Sequence, residues 1–416
     1  APSAVLTVSV ITPPAGSSDS SATDDETRFY LHTFVSATGE EGPPSAASPE
    51  YTISIPGSSV TLSIPAPQSN NNNIVRRRIY RSATSDSTSG WYKVAELDPG
   101  VSTFTDTLTD AQLGAELATE GYLPPPETMT GLCLMANGIA AGFTGNTVLF
   151  SEAYLPYAWP EANQLTTEDD VVAICPVATS LVIGTKGYPY IMTGVAPSSI
   201  TAQKLNVQQA CISKRSMVSV DGIVMYASPD GIVAVSVSDG VTVATEQILT
   251  RQQWQAMHPA TLRAWAYEGK YIGITDSVAF VYDPRAADIV YLSNRWDCAF
   301  NDMQSDSLYL AKGTQLYSWK GAPSLTYSML WRSKTFVHSS GIAYTACRIR
   351  GSDLDKAALR ILVDGREILS VTTGLLPDAI IRLPACRGYR WQIEVAGTTR
   401  IDRITLATSV QELAGG

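Results

Sequence analysis

Charge is scarce in this chain of 416 residues: Asp, Glu, Lys and Arg make up only 16%, against about a quarter in ordinary soluble domains. That shortage argues against a helical enzyme and for short strands, which the 30 glycines and 24 prolines punctuate. Basic residues are the scarcer sign, 29 against 39 acidic, giving a net charge of −10 and a pI near 4.9. A general basic surface for gripping nucleic acid is therefore excluded. The only basic knot is Arg76-Arg77-Arg78 with Arg81. It lies in a strand pattern that sends alternate residues to opposite faces, and reads as a solvated face or an interface rather than a phosphate site. Histidine is nearly absent, at His32, His258 and His338. Six cysteines, at 133, 175, 211, 298, 347 and 386, form no C-x-x-C pair and read as buried reduced thiols of a protein made in the cytosol. The longest apolar stretch, Leu132–Phe143, is broken at Asn137-Gly138 and is too short to span a bilayer. Ala1–Ile11 has no basic start and alternates like a strand, unlike a signal peptide. The chain begins without Met, which points to residues removed or left out ahead of Ala1.

What is present is repetition. Apolar strand, short turn, apolar strand recurs at Ile139–Ser151, Leu181–Thr193, Ile223–Val235, Tyr271–Tyr282 and Leu308–Trp319. The turns are Thr144-Gly145-Asn146, Lys186-Gly187, Asp230-Gly231, Asp276-Ser277 and Gly313-Thr314. A spacing of roughly 40–45 residues is that of β-propeller blades. One hairpin cannot bury its apolar face alone, so the copies are expected to pack together. Thr250–Met257 is the best helix signal, with Thr250 as cap and Pro259 as stop.

The flanks follow another grammar. Residues 1–122 contain about seven short strands, including a hairpin expected across Pro56-Gly57 from Tyr51–Ile55 to Val60–Ile64, and read as a β-sandwich. Gly16–Asp25 and the Asn tract Gln68–Asn73 read as mobile loops, and Gly121–Pro126 as a stiff linker. After Trp319, short strands from Leu325–Val337 to Ile401–Ala407 form a C-terminal antiparallel region, either a second sandwich or a sheet completing the array. Val363-Asp364-Gly365-Arg366 is a tight-hairpin signal within it. The expected fold class is all-β, with segments 1–122, 127–320 and 321–416.

The usual signatures of catalysis are missing: no G-x-S-x-G elbow, no Walker loop, no H-E-x-x-H pair. The three histidines have no recognisable partners and read as structural or surface residues. Asp24-Asp25-Glu26 and Glu168-Asp169-Asp170 are carboxylate runs that could hold Ca²⁺. They lack the spaced ligands of such loops, so turn roles are expected and neither metal nor cofactor is. Ser236–Thr242 approaches a sialidase-type Asp-box, but occurs once with its spacing off. The cluster from Tyr154 to Pro160 suits sugar stacking or, more commonly, packing between blades.

Several stretches together resemble the short-tail nozzle or tail tubular proteins of bacteriophage virions. They are Arg28–Ser36 followed by Gly39–Ser45, Arg78–Ser82, Phe150-Ser151-Glu152 through Ala158-Trp159-Pro160, Ser213-Lys214-Arg215, Ser228-Pro229-Asp230-Gly231 and Trp331-Arg332-Ser333-Lys334. The resemblance runs from about residue 25 to the end, and rests on order and spacing. It implies a β-propeller with added β-domains, the first resembling a fibronectin type III module. Members usually carry further residues before that module, expected to supply propeller strands. It also implies a non-enzymatic structural protein in a homo-oligomeric ring, commonly a hexamer, within the genome-ejection channel. The ring would touch other tail and adaptor proteins and pass DNA without binding it specifically, since like-charged walls repel phosphates. Location is then the virion, after synthesis in the host bacterial cytoplasm, with no membrane insertion.

The structural positions expected to matter are Trp159, Pro160 and Trp331 as packing anchors, and Pro229, Asp230 and Gly231 as a blade turn. Lys214, Arg215 and Arg332 are interface or ion-pair candidates. Two other readings stand beside this one: a carbohydrate-binding or glycoside-hydrolysing propeller with a fibronectin-like module, and a host-surface adhesin of the same virion.

Overall fold

The computed structural model describes residues 1–16, 25–67, 73–85, 88–321 and 328–414. The two tracts read as mobile loops, Asp24 and the start of the expected Leu325 strand therefore lie wholly or mostly outside the described residues. The chain is all-β and divides into two compact units, Ala1–Leu316 and Tyr317–Gly416.

Five antiparallel meanders form most of the first unit. The first contains Thr130–Leu134, Ala140–Thr144, Thr147–Phe150 and Gln164–Thr166. The second contains Val171–Val177, Ser180–Thr185, Tyr190–Thr193 and Thr201–Lys204. Val218–Val220, Ile223–Ala227, Ile232–Ser236 and Gly240–Val243 make the third. Arg263–Tyr267, Lys270–Ile274, Ala279–Asp283 and Asp288–Leu292 make the fourth. The fifth has three strands, Cys298–Asp302, Ser307–Lys312 and Gln315–Ser318. These are propeller-like blades, and the first strands of consecutive blades touch one another in order.

The alternation of side chains explains why the middle strands are apolar throughout. In the second blade Leu181 and Ile183 join Ala141, Phe143, Val148 and Phe150 of the first blade in one core. Val182, pointing the other way, joins Val224, Tyr226 and Val233 of the third. A third core joins Met225 and Ile232 to Tyr271 and Phe280 of the fourth blade. Each fully buried Leu, Ile or Phe contributes about 1.5–3 kcal/mol, so the inter-blade cores hold the array together. The helix Arg251–Ala256 starts where expected: Thr250 Oγ1 accepts from Gln253 N–H, and the Gln253 side chain returns the bond. It drives Trp254 into the same core, with Nε1 donating to the Ser228 carbonyl at 2.8 Å.

The described residues up to Asp106 form a β-sandwich. One sheet pairs Thr7–Thr12, Ser59–Ser63 and Thr103–Asp106; another pairs Tyr30–Ser36, Ile74–Ser85 and Thr88–Leu97. The hairpin expected across Pro56-Gly57 does not form. Tyr51–Ile53 pairs with Glu26–Arg28, while Ser59–Ser63 pairs with Thr7–Thr12. The turn, with Gly57 at φ +80°, passes the chain between sheets, which lets Ile53 face Val60 and Leu62 in one core.

The second unit contains two sheets that share one core. One sheet contains Met329–Arg332, Phe336–Ile342, Ala357–Val363, Arg366–Val371 and Gly388–Gly397; the other contains Ala346–Gly351, Ile380–Arg382 and Ile401–Ala407. Its core gathers Cys347, Leu359, Ile361 and Trp391. Asp364 and Gly365 take φ +50° and +82° between paired Val363 and Arg366, the tight turn that Asp-Gly favours.

Candidate functional site

Trp159 is buried against Ala140, Leu149 and Met129 on the first blade. Its Nε1 donates to the Pro156 carbonyl and its backbone N–H to Leu123, which ties the proline linker down. Pro160 starts the short turn Glu161–Asn163. Pro229, Asp230 and Gly231 join two strands of the third blade. Asp230 Oδ2 accepts from Gln209 at 3.0 Å, and a Cβ on Gly231 would lie 2.5 Å from Thr245 Oγ1. Lys214 and Arg215 are exposed between the second and third blades, with Lys214 Nζ 5.4 Å from the Phe143 ring centroid. Arg332 pairs with buried Glu394, which Arg360 also contacts at 2.8 Å. Trp331, expected as an anchor, is 47% exposed; the buried indole of that unit is Trp391.

The carboxylate runs and histidines do not converge. Glu168 pairs with Lys204 and Asp170 with Lys186, while Glu26 holds Arg28 at 2.5 Å. Ser236 and Ser238 hydroxyls both donate to Asp239, closing a hairpin turn at Asp239-Gly240. His258 meets Asp276 at 2.8 Å, and His338 meets Tyr344 at 3.3 Å, in different units. Among the described residues no group of His, Cys, Asp and Glu could hold a metal ion. Nor is any helix among them long and apolar enough to cross a membrane.

The arginine knot departs from the expected solvated face. Arg76 and Arg78 do point outward, to Glu96 at 2.7 and 2.8 Å, and Arg78 also to Glu41 at 2.6 Å. Arg77 and Arg81, on the opposite face, are fully buried. Arg81 Nη1 donates to Asp106 Oδ2 at 2.8 Å and to the Leu108 carbonyl, and Nη2 donates to Asp110 at 2.6 Å. Tyr30 O–H donates to the same Asp106 oxygen at 2.9 Å. Arg77 has no such company: none of its three guanidinium nitrogens has a hydrogen-bond partner. The group lies 5.1 Å from the Phe34 ring centroid. Next to it His32 is buried, its Nδ1 also without a partner. Burial, with a smaller contribution from the Arg77 charge, pushes His32 down to about 4. His32 and Phe34 line a cleft of about 470 Å³ with Ala4, Pro43, Pro65 and Tyr157 among its walls.

Apolar side chains stand exposed on both end blades of the array, as others do on the middle blades and in the second unit. On the first blade Leu132 and Leu134 are 68% and 66% exposed, beside Tyr154, which holds φ +61°. On the fifth, Phe300, Met303, Tyr309 and Leu316 are exposed.

No protein-family model matches the chain, and no curated protein does. Among solved structures the chain is similar to the extracellular domain of a hybrid two component system from B. thetaiotaomicron, at 11% identity and TM-score 0.33. That likeness covers 76% of this chain, and the chain spans 44% of the other's length. Hsv2 of Kluyvelomyces marxianus is similar at 9% identity and TM-score 0.30, over 63% of this chain and 72% of that one. BBS1N, crystallised with ARL6DN, is similar at 12% identity and TM-score 0.32, over 62% and 86% of the respective chains.

Proposed function

We propose that this chain is a structural protein of a bacteriophage tail, a nozzle or tubular-ring subunit that works by assembling with copies of itself and performs no catalysis. The tail identity rests on the resemblance borne by Arg28–Ser45, Arg78–Ser82, Phe150–Pro160 and Trp331–Lys334. The assembly rests on one observation: apolar side chains stand exposed at both ends of the blade array, at Leu132 and Leu134 and at Phe300, Tyr309 and Leu316. Contiguous exposed apolar surface marks an interaction site. Two different faces on one chain make a head-to-tail contact, which closes into a ring when the rotation allows. The net charge of −10 suits a channel that DNA must cross without adhering. Mass photometry and negative-stain electron microscopy of the purified chain test the reading. A rotationally symmetric ring, with six copies as the expected number, supports it. A chain that stays monomeric at every soluble concentration and cleaves or retains glycans overturns it.

A further inference from the structure

The net charge of −10 is the sum of two unlike parts. Tyr317–Gly416 holds 13 of the 29 basic residues and 8 of the 39 acidic ones, a net +5, which leaves −15 on Ala1–Leu316. The three-stranded sheet of the second unit gathers four of its arginines on one face. In Ala346–Gly351, Cys347 and Ile349 are buried in the core, so Arg348 and Arg350 point the other way. Ile381, Ile404 and Leu406 pack against the same core, which places Arg382 and Arg403 on that outer face as well. Arg350 lies directly opposite Arg403, and Arg382 directly opposite Ala346. The helix Val410–Ala414 covers the end of the face at Ala346 and Ala407, through Leu413. The flanking acids are engaged: Asp378 accepts from Arg350 Nε at 2.7 Å, Asp402 from Arg400 Nε at 2.8 Å, and Glu412 from the Thr408 N–H at 3.0 Å. Arg382 and Arg403 are exposed.

We infer that this arginine face binds the phosphodiester backbone of a nucleic acid, without regard to base sequence. Like charges directly opposite on paired strands repel, and Arg350 faces Arg403; a polyanion laid across both turns that repulsion into attraction. The guanidinium fork matches phosphate oxygens in a way an ammonium does not, and every basic residue at the outward positions of these strands is arginine. From Arg350 to the level of Arg382 is four residues along the strand, about 13 Å, the length of about four nucleotides. The other outward residues are alanine, threonine and Ile380, with no aromatic ring for a base to stack on, so the contact is to backbone. An acidic protein partner would instead seek an apolar, aromatic-rich centre, which this face does not offer. The inference goes beyond ring assembly and does not rest on it. The acidic excess that would keep DNA from adhering to a channel lies in Ala1–Leu316.

Fluorescence anisotropy of the whole chain with short fluorescein-labelled DNA duplexes of two unrelated sequences tests it. Both are expected to bind equally, with a dissociation constant of about 10⁻⁶–10⁻⁴ M that weakens with salt at a log–log slope of about −3. Arg382→Gln with Arg403→Gln removes two phosphate contacts at exposed positions, and is expected to weaken binding at least about tenfold and to reduce the slope by about 2. Arg251→Gln with Arg285→Gln, exposed arginines of the first unit, is the control and is expected to change neither. Circular dichroism checks that the variants are folded. Should the Arg382 and Arg403 pair not fold, the two single variants decide the matter, each expected to reduce the slope by about 1. Polyglutamate of the same charge that binds as tightly as the duplex identifies an acidic protein as the occupant and overturns the inference. Duplexes that fail to bind at low salt overturn it too, as does binding of equal strength and slope when Arg382 and Arg403 are both replaced.

Discussion

Arg77 and Arg81 lie on one strand face, and what meets each guanidinium decides its effect on stability. Removing the partner of a buried ion pair leaves the other charge stranded, so Asp106→Ala is expected to destabilise the N-terminal sandwich by roughly 3–5 kcal/mol. Arg76→Ala breaks a pair whose arginine is 61% exposed, and is expected to cost at most about 1 kcal/mol. Urea unfolding followed by hydrogen exchange of residues 74–106 separates the two. His32 adds a pH dependence. The unfolded imidazole takes its proton near 6.5 and the folded one only near 4, so the unfolded state binds more protons between those values. Stability attributable to His32 is therefore complete above about pH 6.5 and declines by about 3 kcal/mol as pH falls to 4. His32→Gln should flatten that decline, read from urea midpoints across the interval. Little of this was legible in the sequence. Strand alternation separates Arg77 from Arg76 and Arg78, but it does not say which face is interior, and arginine is normally the exposed choice. In the same way nothing local distinguishes exposed Trp331 from buried Trp391.

At the scale of elements the sequence was more informative, because turns and caps are decided by neighbours. Asp364-Gly365, Asp239-Gly240 and the Thr250–Gln253 cap all carry their geometry in two to four residues. Gly365 at φ +82° has open space around it, so Gly365→Ala tests backbone conformation alone and is expected to cost about 1–2 kcal/mol. Gly273 tests the opposite case. It lies directly across from Phe280, whose ring would stand 2.3 Å from a new Cβ. Gly273→Ala must displace a fully buried ring between the third and fourth blades, with an expected cost of about 1–3 kcal/mol. Thermal unfolding of both variants beside the parent chain checks the pair. The failed hairpin across Pro56-Gly57 marks the limit of local reading. Its turn chemistry is right, yet Ile53 and Val60 belong to opposite walls of one core, and only the core selects the sheet each strand joins.

For the whole molecule, the blade pattern predicts its own incompleteness. Each middle blade is apolar on both faces because a neighbour covers each face, as Leu181 and Val182 show from adjacent positions in one strand. The first and fifth blades inherit the same pattern; on the first, Trp159 and Met129 cover the outer face at Ala140 and Leu149. Leu132 and Leu134 at one end, and Phe300 and Leu316 at the other, are left exposed. If these two faces join copies head to tail, a charge on either face alone prevents ring closure. Leu132→Asp with Leu134→Asp, and separately Phe300→Asp with Leu316→Asp, should each leave the chain monomeric in sedimentation velocity. The two variants mixed still offer one intact face apiece, so the mixture is expected to form a dimer and nothing larger. Rings that persist in either variant alone place the contact on some other surface, and with it the argument that exposed blade faces drive assembly.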